Sequence, residues 1–136
     1  MDGPTEIEDL DKTDANKEVM QGFVDNLLKG GRADLVTDYN SVKQYDQHNA
    51  EVGDGLESFG RHFKGVMESG HASQYVNVHR LLGQGNFVVI FSHVKQGGDD
   101  WAVFDLLRLN DGKIVEHWDV QEKIGPNATG NNYGKF

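Results

Sequence analysis

The stretch FDLLRLNDGKIVEHWDV, residues 104–120, predicts a β-hairpin. Apolar and polar residues alternate on both sides of Asn110-Asp111-Gly112, a sequence that suits a tight turn between antiparallel strands. A three-residue loop, with its glycine in the left-handed conformation, places Asp105 opposite His117. A two-residue loop would place Asp105 opposite Trp118 instead. We favour the three-residue loop, which brings polar side chains of both strands to one face of the hairpin.

This face of the hairpin combines two carboxylates and an imidazole with aliphatic side chains. Because side chains alternate along a strand, it comprises Val103, Asp105, Leu107, Val115, His117 and Asp119. Such a mixture indicates either a solvated face or a mostly apolar pocket with a few convergent polar groups. In a pocket, desolvation raises the pKa of a carboxyl group and can make it a general acid or base near neutral pH. Asp105, inside WAVFDLL, is the more suggestive carboxylate, unless it only pairs with Arg108, His117 or a backbone donor.

The hydrophobic periodicity predicts helices first and strands afterwards. Helices are predicted from Thr13, as N-cap, to Gly30-Gly31, over residues 32–39, and from Asp54 to Gly70. Strands are predicted over residues 75–82, 87–94, 101–109 and 113–121, with connections too short for crossover helices. Adjacent strands must then be antiparallel, so we predict an α+β domain in which helices cover one face of a curved sheet. We assign residues 1–12 to a flexible acidic leader, 13–126 to the single domain and 127–136 to a polar C-terminal tail.

The composition limits the classes of function. The chain has 136 residues, enough for one domain, and its 22 acidic against 13 basic residues give a formal charge of −9. This charge disfavours nucleic acid and anionic lipid surfaces as partners. The sequence contains no cysteine, so disulfides and thiolate chemistry are excluded. Because there is no apolar run of transmembrane length and the first residues are acidic, we expect a cytoplasmic protein.

Two histidines outside the hairpin are further candidates. His93 has the parity of Phe91 in its strand and would join the polar face if that strand neighboured residues 101–109; otherwise it lies at the rim of the sheet. His48 lies in QYDQHNAEVGDG, a composition also typical of a plain solvated loop. No two histidines have the spacing of paired metal ligands, and the glycine motifs that bind phosphate or dinucleotides do not occur. We therefore expect no metal site and set aside nucleotide hydrolysis and dinucleotide chemistry.

Two segments resemble a known group of proteins. YDQHNAEVGDGLESF, residues 45–59, and FDLLRLNDGKIVEHWDVQEKI, residues 104–124, are similar to the SnoaL-like proteins, predicted aldol-condensation-catalysing enzymes of the nuclear transport factor 2-like superfamily. The likeness runs from about Thr13 to the C-terminus. It implies a cone in which about three N-terminal helices close the concave face of a strongly bent antiparallel sheet, and a homodimer formed through the other face. Trp118 is then expected to pack at the dimer interface or under the helices.

The resemblance also implies a function. Polyketide cyclases of this type close a ring by an intramolecular aldol reaction, with an aspartate as acid/base and without a metal or organic cofactor. Asp119 matches that aspartate, Asp105 and His48 match polar positions of the same pocket, and we predict a catalytic role for all three. The residues predicted to bind substrate are His117, His93, Tyr45 and Val103. We expect acid/base catalysis, of aldol-cyclisation or isomerisation type, on a small hydrophobic carbonyl compound; the alternative is a non-catalytic small-molecule-binding or accessory module.

Overall fold

The computed structural model describes residues 2–70, 73–125 and 134–136, and the helices precede the four long strands, as predicted. The helices are α1 (Thr13–Phe23), which continues as a π-helical segment (Val24–Lys29), α2 (Val36–Tyr39) and α3 (Leu56–Glu68), with 3₁₀ turns at Leu10–Lys12 and Ala33–Leu35. The strands are β1 (Asp46–Gln47), β2 (Gln74–Gln84), β3 (Phe87–Gln96), β4 (Asp99–Asn110) and β5 (Lys113–Lys123). Within the described ranges, no helix has the length and apolar character needed to cross a membrane.

Thr13 does not cap α1, contrary to the prediction. A 3₁₀ turn directly precedes it, so Thr13 is already helical, and its hydroxyl donates to the carbonyl oxygen of Leu10 at 2.8 Å. The same hydroxyl accepts a hydrogen bond of 2.8 Å from the backbone N–H of Gly85. Thr13 therefore ties the start of α1 to the turn between β2 and β3.

The sheet has five strands in the order β1-β5-β4-β3-β2. Strands β2 to β5 form the predicted antiparallel meander. One edge differs from the prediction, because β1 pairs in parallel with β5, Asp46 with Glu116 and Gln47 with His117. A strand of two residues is too short to show a period in the sequence, so this stretch had the appearance of an irregular loop. The parallel pairing brings the loop after β1 next to the polar residues of β5.

The connection between β4 and β5 is a two-residue turn and not the predicted three-residue loop. Asn110 pairs with Lys113, and Asp111 and Gly112 between them have φ angles of 48° and 72°. Positive φ at both central positions is typical of the type I′ turn, whose twist matches the flanking strands and which favours Asp-Gly. The predicted pairing of Asp105 with His117 is therefore wrong.

A β-bulge in β5 nevertheless keeps the polar residues of the hairpin on one face. Arg108 pairs with Glu116, and Val115 is left as the extra residue. With the two-residue turn alone, the polar residues of β5 would point to the face opposite to those of β4. The extra residue brings both sets back to one face. Asp105 consequently lies opposite Asp119, which neither of the two predicted registers anticipated.

The helices cover one side of the sheet, which we call the inner face, and form the core with it. The buried core consists of Met20, Phe23, Val24, Leu27, Tyr45, Val88, Ile90, Leu107, Leu109 and Ile114. The four residues from α1 and its π-helical continuation recur at spacings of three and four, so they form one apolar stripe toward the sheet. Burial of each such side chain stabilises the fold by about 1.5–3 kcal/mol.

The opposite side of the sheet, which we call the outer face, carries exposed apolar side chains. Phe104 is 49% exposed and Val120 is 72% exposed. The ring of Phe104 stacks on that of Phe91, with centroids 4.1 Å apart. These residues form an aromatic and aliphatic surface that the helices do not cover.

Both ends of the described chain contact the sheet. In the predicted leader, the carbonyl oxygen of Asp2 accepts a hydrogen bond of 3.0 Å from Nε1 of Trp118. In the predicted tail, residues 127–133 lie outside the described residues, and the ring of Phe136 stacks on His79 with centroids 4.4 Å apart. The division into leader, domain and tail stays a prediction.

Candidate active site

A pocket lies between α3, the loop after β1 and the inner face of the sheet. It encloses about 150 Å³, many times the roughly 10–15 Å³ that one water molecule requires. The lining residues are Leu28, Gln47, Asn49, Glu51, Val52, Phe59, His62, Phe63, Val66, Ser73, Tyr75, Val94, Gln96, Val103, Asp105, His117, Asp119 and Gln121. Apolar side chains dominate the α3 side, and the polar groups gather on β4, β5 and the β1 loop, as in many small-molecule sites.

The three polar residues predicted on the hairpin meet in this pocket. Nε2 of His117 lies 3.0 Å from Oδ1 of Asp105. The hydroxyl of Tyr75 donates to the other oxygen of Asp105 at 3.2 Å. Asp105 is 5% exposed, so both of its oxygens need these partners. Asp119 stands directly across from Asp105 in the β4–β5 ladder and also lines the pocket.

β1 and the loop after it supply two functional side chains that sequence reasoning missed, those of Gln47 and Asn49. Oε1 of Gln47 lies 2.9 Å from Nδ1 of His117. Nδ2 of Asn49 donates to Oδ2 of Asp119 at 2.6 Å. Gln47 and Asn49 flank His48 in the Gln-His-Asn motif, so the motif was informative, but its two amides and not its imidazole reach the pocket. Alternation around an extended residue could have indicated this.

His48 lies on the other side of the sheet edge and does not line the pocket. Its backbone N–H donates to the carbonyl oxygen of His117 at 3.0 Å, which extends the β1–β5 pairing by one bond. Its ring points to the outer face, where Nε2 lies 2.9 Å from Oε1 of Glu116. The ring also stacks on the indole of Trp118, with centroids 4.8 Å apart and planes within 6° of parallel. His48 therefore anchors the loop, and this geometry gives no support to its predicted catalytic role.

Glu116, the partner of His48, is a buried carboxylate with a full set of partners. It is 2% exposed. Nε and Nη2 of Arg108 both lie 2.7 Å from its Oε2, while His48 occupies Oε1. A buried charge is tolerated only when it is paired and hydrogen-bonded in this way. The Arg108–Glu116–His48 network thus holds the β1 loop against β5 from behind the pocket.

The remaining predicted site residues divide between the pocket and other places. Val103 lines the pocket. His93 does not, because its parity in β3 directs it to the outer face, where Nε2 lies 2.6 Å from Oδ1 of Asp100. Tyr45 lines a smaller cavity of about 60 Å³ beneath the pocket, which shares Tyr75, Asp105 and His117 with it. Burial, and then the charge of Asp105, raise the pKa of Tyr45 above its usual range.

Tyr75 is a third site residue that sequence reasoning missed. Burial raises the pKa of Tyr75 well above its usual value, and the charge of Asp105 adds to the increase. Its phenol therefore stays protonated and acts as a hydrogen-bond donor. The strand position of Tyr75 gave no sign of this role, because the β-bulges of β2 determine which side chains point inward.

The pocket is acidic. Its described lining contains the carboxylates Glu51, Asp105 and Asp119 and the imidazoles His62 and His117, but neither lysine nor arginine. Within the described parts of the chain, no group of three or more His, Cys, Asp or Glu side chains has the arrangement of a metal site. The arrangement is suited to taking up and returning a proton.

Comparisons with known proteins show that this chain is similar to several solved structures in its three-dimensional fold. No protein-family model and no curated protein sequence matches the chain. A candidate ketosteroid isomerase from Kribbella flavida is 16% identical, with 89% of this chain and 87% of that chain covered and a TM-score of 0.71. A candidate polyketide cyclase from Acidithiobacillus ferrooxidans is 10% identical, with 79% and 87% covered and a TM-score of 0.63. An NTF2-like protein of unknown function from Cytophaga hutchinsonii is 16% identical, with 88% and 95% covered and a TM-score of 0.65. The chain therefore has the nuclear transport factor 2-like fold that its resemblance to SnoaL-like proteins implied.

Proposed function

We propose that the protein is a SnoaL-like enzyme that uses acid/base catalysis, without a cofactor, on an uncharged hydrophobic carbonyl compound. The reaction is an aldol cyclisation or an isomerisation. The observation that supports this most directly is the carboxylate of Asp119, which lines a largely apolar pocket and has its Oδ2 held at 2.6 Å by Asn49. The names of two structural neighbours, a candidate ketosteroid isomerase and a candidate polyketide cyclase, agree with this class of chemistry.

Asp119 is the catalytic base in this proposal. It removes a proton from the carbon next to the substrate carbonyl, and it returns the proton to carbon or oxygen later in the cycle. The carbonyl oxygen, which becomes negative, accepts a hydrogen bond from a donor of the pocket wall, for which the imidazole of His62 is available. General acid/base catalysis contributes about a hundred- to ten-thousandfold, so the substrate must bring an activated C–H bond.

The charge of the pocket determines which substrates it accepts. Three carboxylates line it, and its described lining has no cationic side chain other than a protonated histidine. A free carboxylate or phosphate on the substrate would have no lysine or arginine partner there. The net charge of −9 adds repulsion over a longer range. The apolar residues of α3, among them Phe59, Phe63 and Val66, favour a ring system or an acyl chain.

The experiment measures turnover of neutral β,γ-unsaturated ketones and polyketone esters by the wild type and Asp119→Asn. We expect Asp119→Asn to lower kcat by about a hundred- to ten-thousandfold. The control is Asp100→Asn, which changes a carboxylate on the outer face and should keep full activity. An Asp119→Asn enzyme within threefold of the wild type would contradict the proposal. Binding of these ketones without turnover by the wild type would favour the non-catalytic binding module instead.

We also propose that the protein acts in the cytoplasm as a homodimer formed through the outer face. Phe104 and Val120 are large, apolar and half or more exposed on this face, where a second copy would bury them. Phe104→Glu should convert the dimer to a monomer in sedimentation equilibrium. Val42→Glu is the control, because Val42 is 71% exposed but lies between α2 and β1. A wild-type monomer at micromolar concentration would contradict the dimer.

A further inference from the structure

A chain of hydrogen bonds determines how His117 holds its protons. We propose that His117 is an imidazolium, protonated on both ring nitrogens, and that Gln47 is the positioning residue that keeps it so. The positive ring then lets Asp105 and Asp119 stay ionised together. The proton on Nδ1 follows from the hydrogen bonds of Gln47 and the proton on Nε2 from an ionised Asp105, whereas the catalytic use of the charge rests on the proposed function of Asp119.

The side-chain amide of Gln47 faces the ring with its oxygen atom. The backbone N–H of Asn49 donates to Oε1 of Gln47 at 3.0 Å. An N–H group can only donate, so the side-chain amide of Gln47 must present its oxygen at this place and not its NH₂ group. The same oxygen lies 2.9 Å from Nδ1 of His117. Nδ1 must therefore carry a proton, because two acceptors would otherwise face each other.

The other ring nitrogen of His117 faces the carboxylate of Asp105. Nε2 of His117 lies 3.0 Å from Oδ1 of Asp105, and Oδ2 of Asp105 accepts the hydroxyl proton of Tyr75. An ionised carboxylate has only acceptors, so Nε2 also has to donate. With Nδ1 protonated by the contact with Gln47, a proton on Nε2 makes the ring a cation. The opposite arrangement, a neutral ring that accepts a proton from Asp105, is the outcome that the experiment below distinguishes.

The charge of His117 acts on both aspartates. Asp105 and Asp119 stand directly opposite each other across β4 and β5, where two like charges destabilise the sheet. A positive His117, which contacts Asp105 and lies two residues from Asp119 on the same face of β5, offsets this repulsion. Asp119 can then remain a base. Gln47 thus acts on the reaction through His117 and does not itself need to touch the substrate.

Other ionisable groups face the same space and enter the balance. They are Tyr45 before β1, Glu51 in the following loop, His62 on α3 and Tyr75 on β2. The two buried phenols are neutral, because burial raises their pKa values. Glu51 is exposed, and its charge is screened by solvent. Arg108 and Glu116 neutralise each other on the outer face and leave His117 as the counter-ion of the two aspartates.

The test is ¹⁵N NMR of the histidine rings in the ligand-free protein at about pH 7.5. We expect His117 to show an attached proton on each ring nitrogen. His93, whose described ring hydrogen bond involves Nε2 alone, is the reference in the same spectrum. Gln47→Leu should lose the second ring proton of His117, and Gln47→Glu, which retains an acceptor, should keep it.

Two outcomes would overturn the inference. One is a wild-type His117 with a single ring proton, which would place the other proton on Asp105 or in solvent. The other is a Gln47→Leu spectrum identical to that of the wild type in a folded protein. The wild-type spectrum alone decides the protonation if a variant does not fold. The measurement uses no substrate, so its result does not depend on turnover. A neutral His117 would contradict the inference but not the proposed role of Asp119 as base. A protein without activity would contradict the proposed function but not the protonation of His117.

Discussion

Replacement of Arg108 by methionine should destabilise the protein strongly, because it leaves Glu116 as an incompletely paired charge in the interior. Glu116 is 2% exposed, and both Nε and Nη2 of Arg108 lie 2.7 Å from its Oε2. Loss of one partner of a buried ion pair costs about 3–5 kcal/mol. We expect the lower end, about 3 kcal/mol, because the Arg108 side chain is 13% exposed and His48 still contacts Oε1. Methionine keeps the apolar stem, so the change tests the charge and not the packing.

The assay is urea unfolding at pH 7, followed by tryptophan fluorescence and extrapolated to water for the free energy of unfolding. The double variant Arg108→Met with Glu116→Leu removes both charges and should recover most of the loss, since buried pairs replaced by apolar residues are often nearly neutral. Lys123→Met is the matched control. Lys123 lies 2.7 Å from Asp99 but is 55% exposed, so its removal should cost no more than about 1 kcal/mol. An Arg108→Met cost below about 1 kcal/mol, or no recovery in the double variant, would refute the reasoning.

Two further predictions concern the tyrosine of the site and a turn. The pKa of Tyr75 is raised in the folded state by burial, so its contribution to stability is complete below pH 10.0 and is lost at higher pH, where the unfolded chain gives up the proton first. The fall in urea midpoint between about pH 8 and 11 should therefore be smaller in Tyr75→Phe, and an equal fall in both proteins would contradict this. Gly85→Ala should cost more than Gly112→Ala, because both glycines have positive φ, 58° and 72°, but only at Gly85 would the Cβ meet the backbone oxygen of Glu8, at 2.0 Å. The left-handed conformation alone costs about 1–2 kcal/mol at either glycine. Equal losses of stability for the two variants in thermal unfolding would show that the leader moves away from the new Cβ without cost, and would contradict the prediction.

The order of the helices and the four long strands followed from the sequence, and so did the polar face of the hairpin. Both depend on local periodicity: residues at spacings of three and four place Met20 and Leu27 on one stripe of α1 and its continuation, and alternation places Asp105 and Asp119 on one side of their strands. The prediction of the polar face held even though its register was wrong. The two-residue turn and the bulge at Val115 changed the parity twice, so the face was preserved.

Tertiary structure alone determined which polar residues surround that face. Gln47 and Asn49 reach β5 through a parallel strand of only two residues, about 70 positions away in the chain, and no local pattern encodes such a pairing. The same pairing turned His48 outward to Glu116, although its motif had suggested a place in the pocket. Periodicity follows from the covalent geometry of neighbouring residues, and so the sequence predicts it. Contacts between distant segments depend on which pairing stabilises the whole fold, and this is decided only when the sheet and helices assemble.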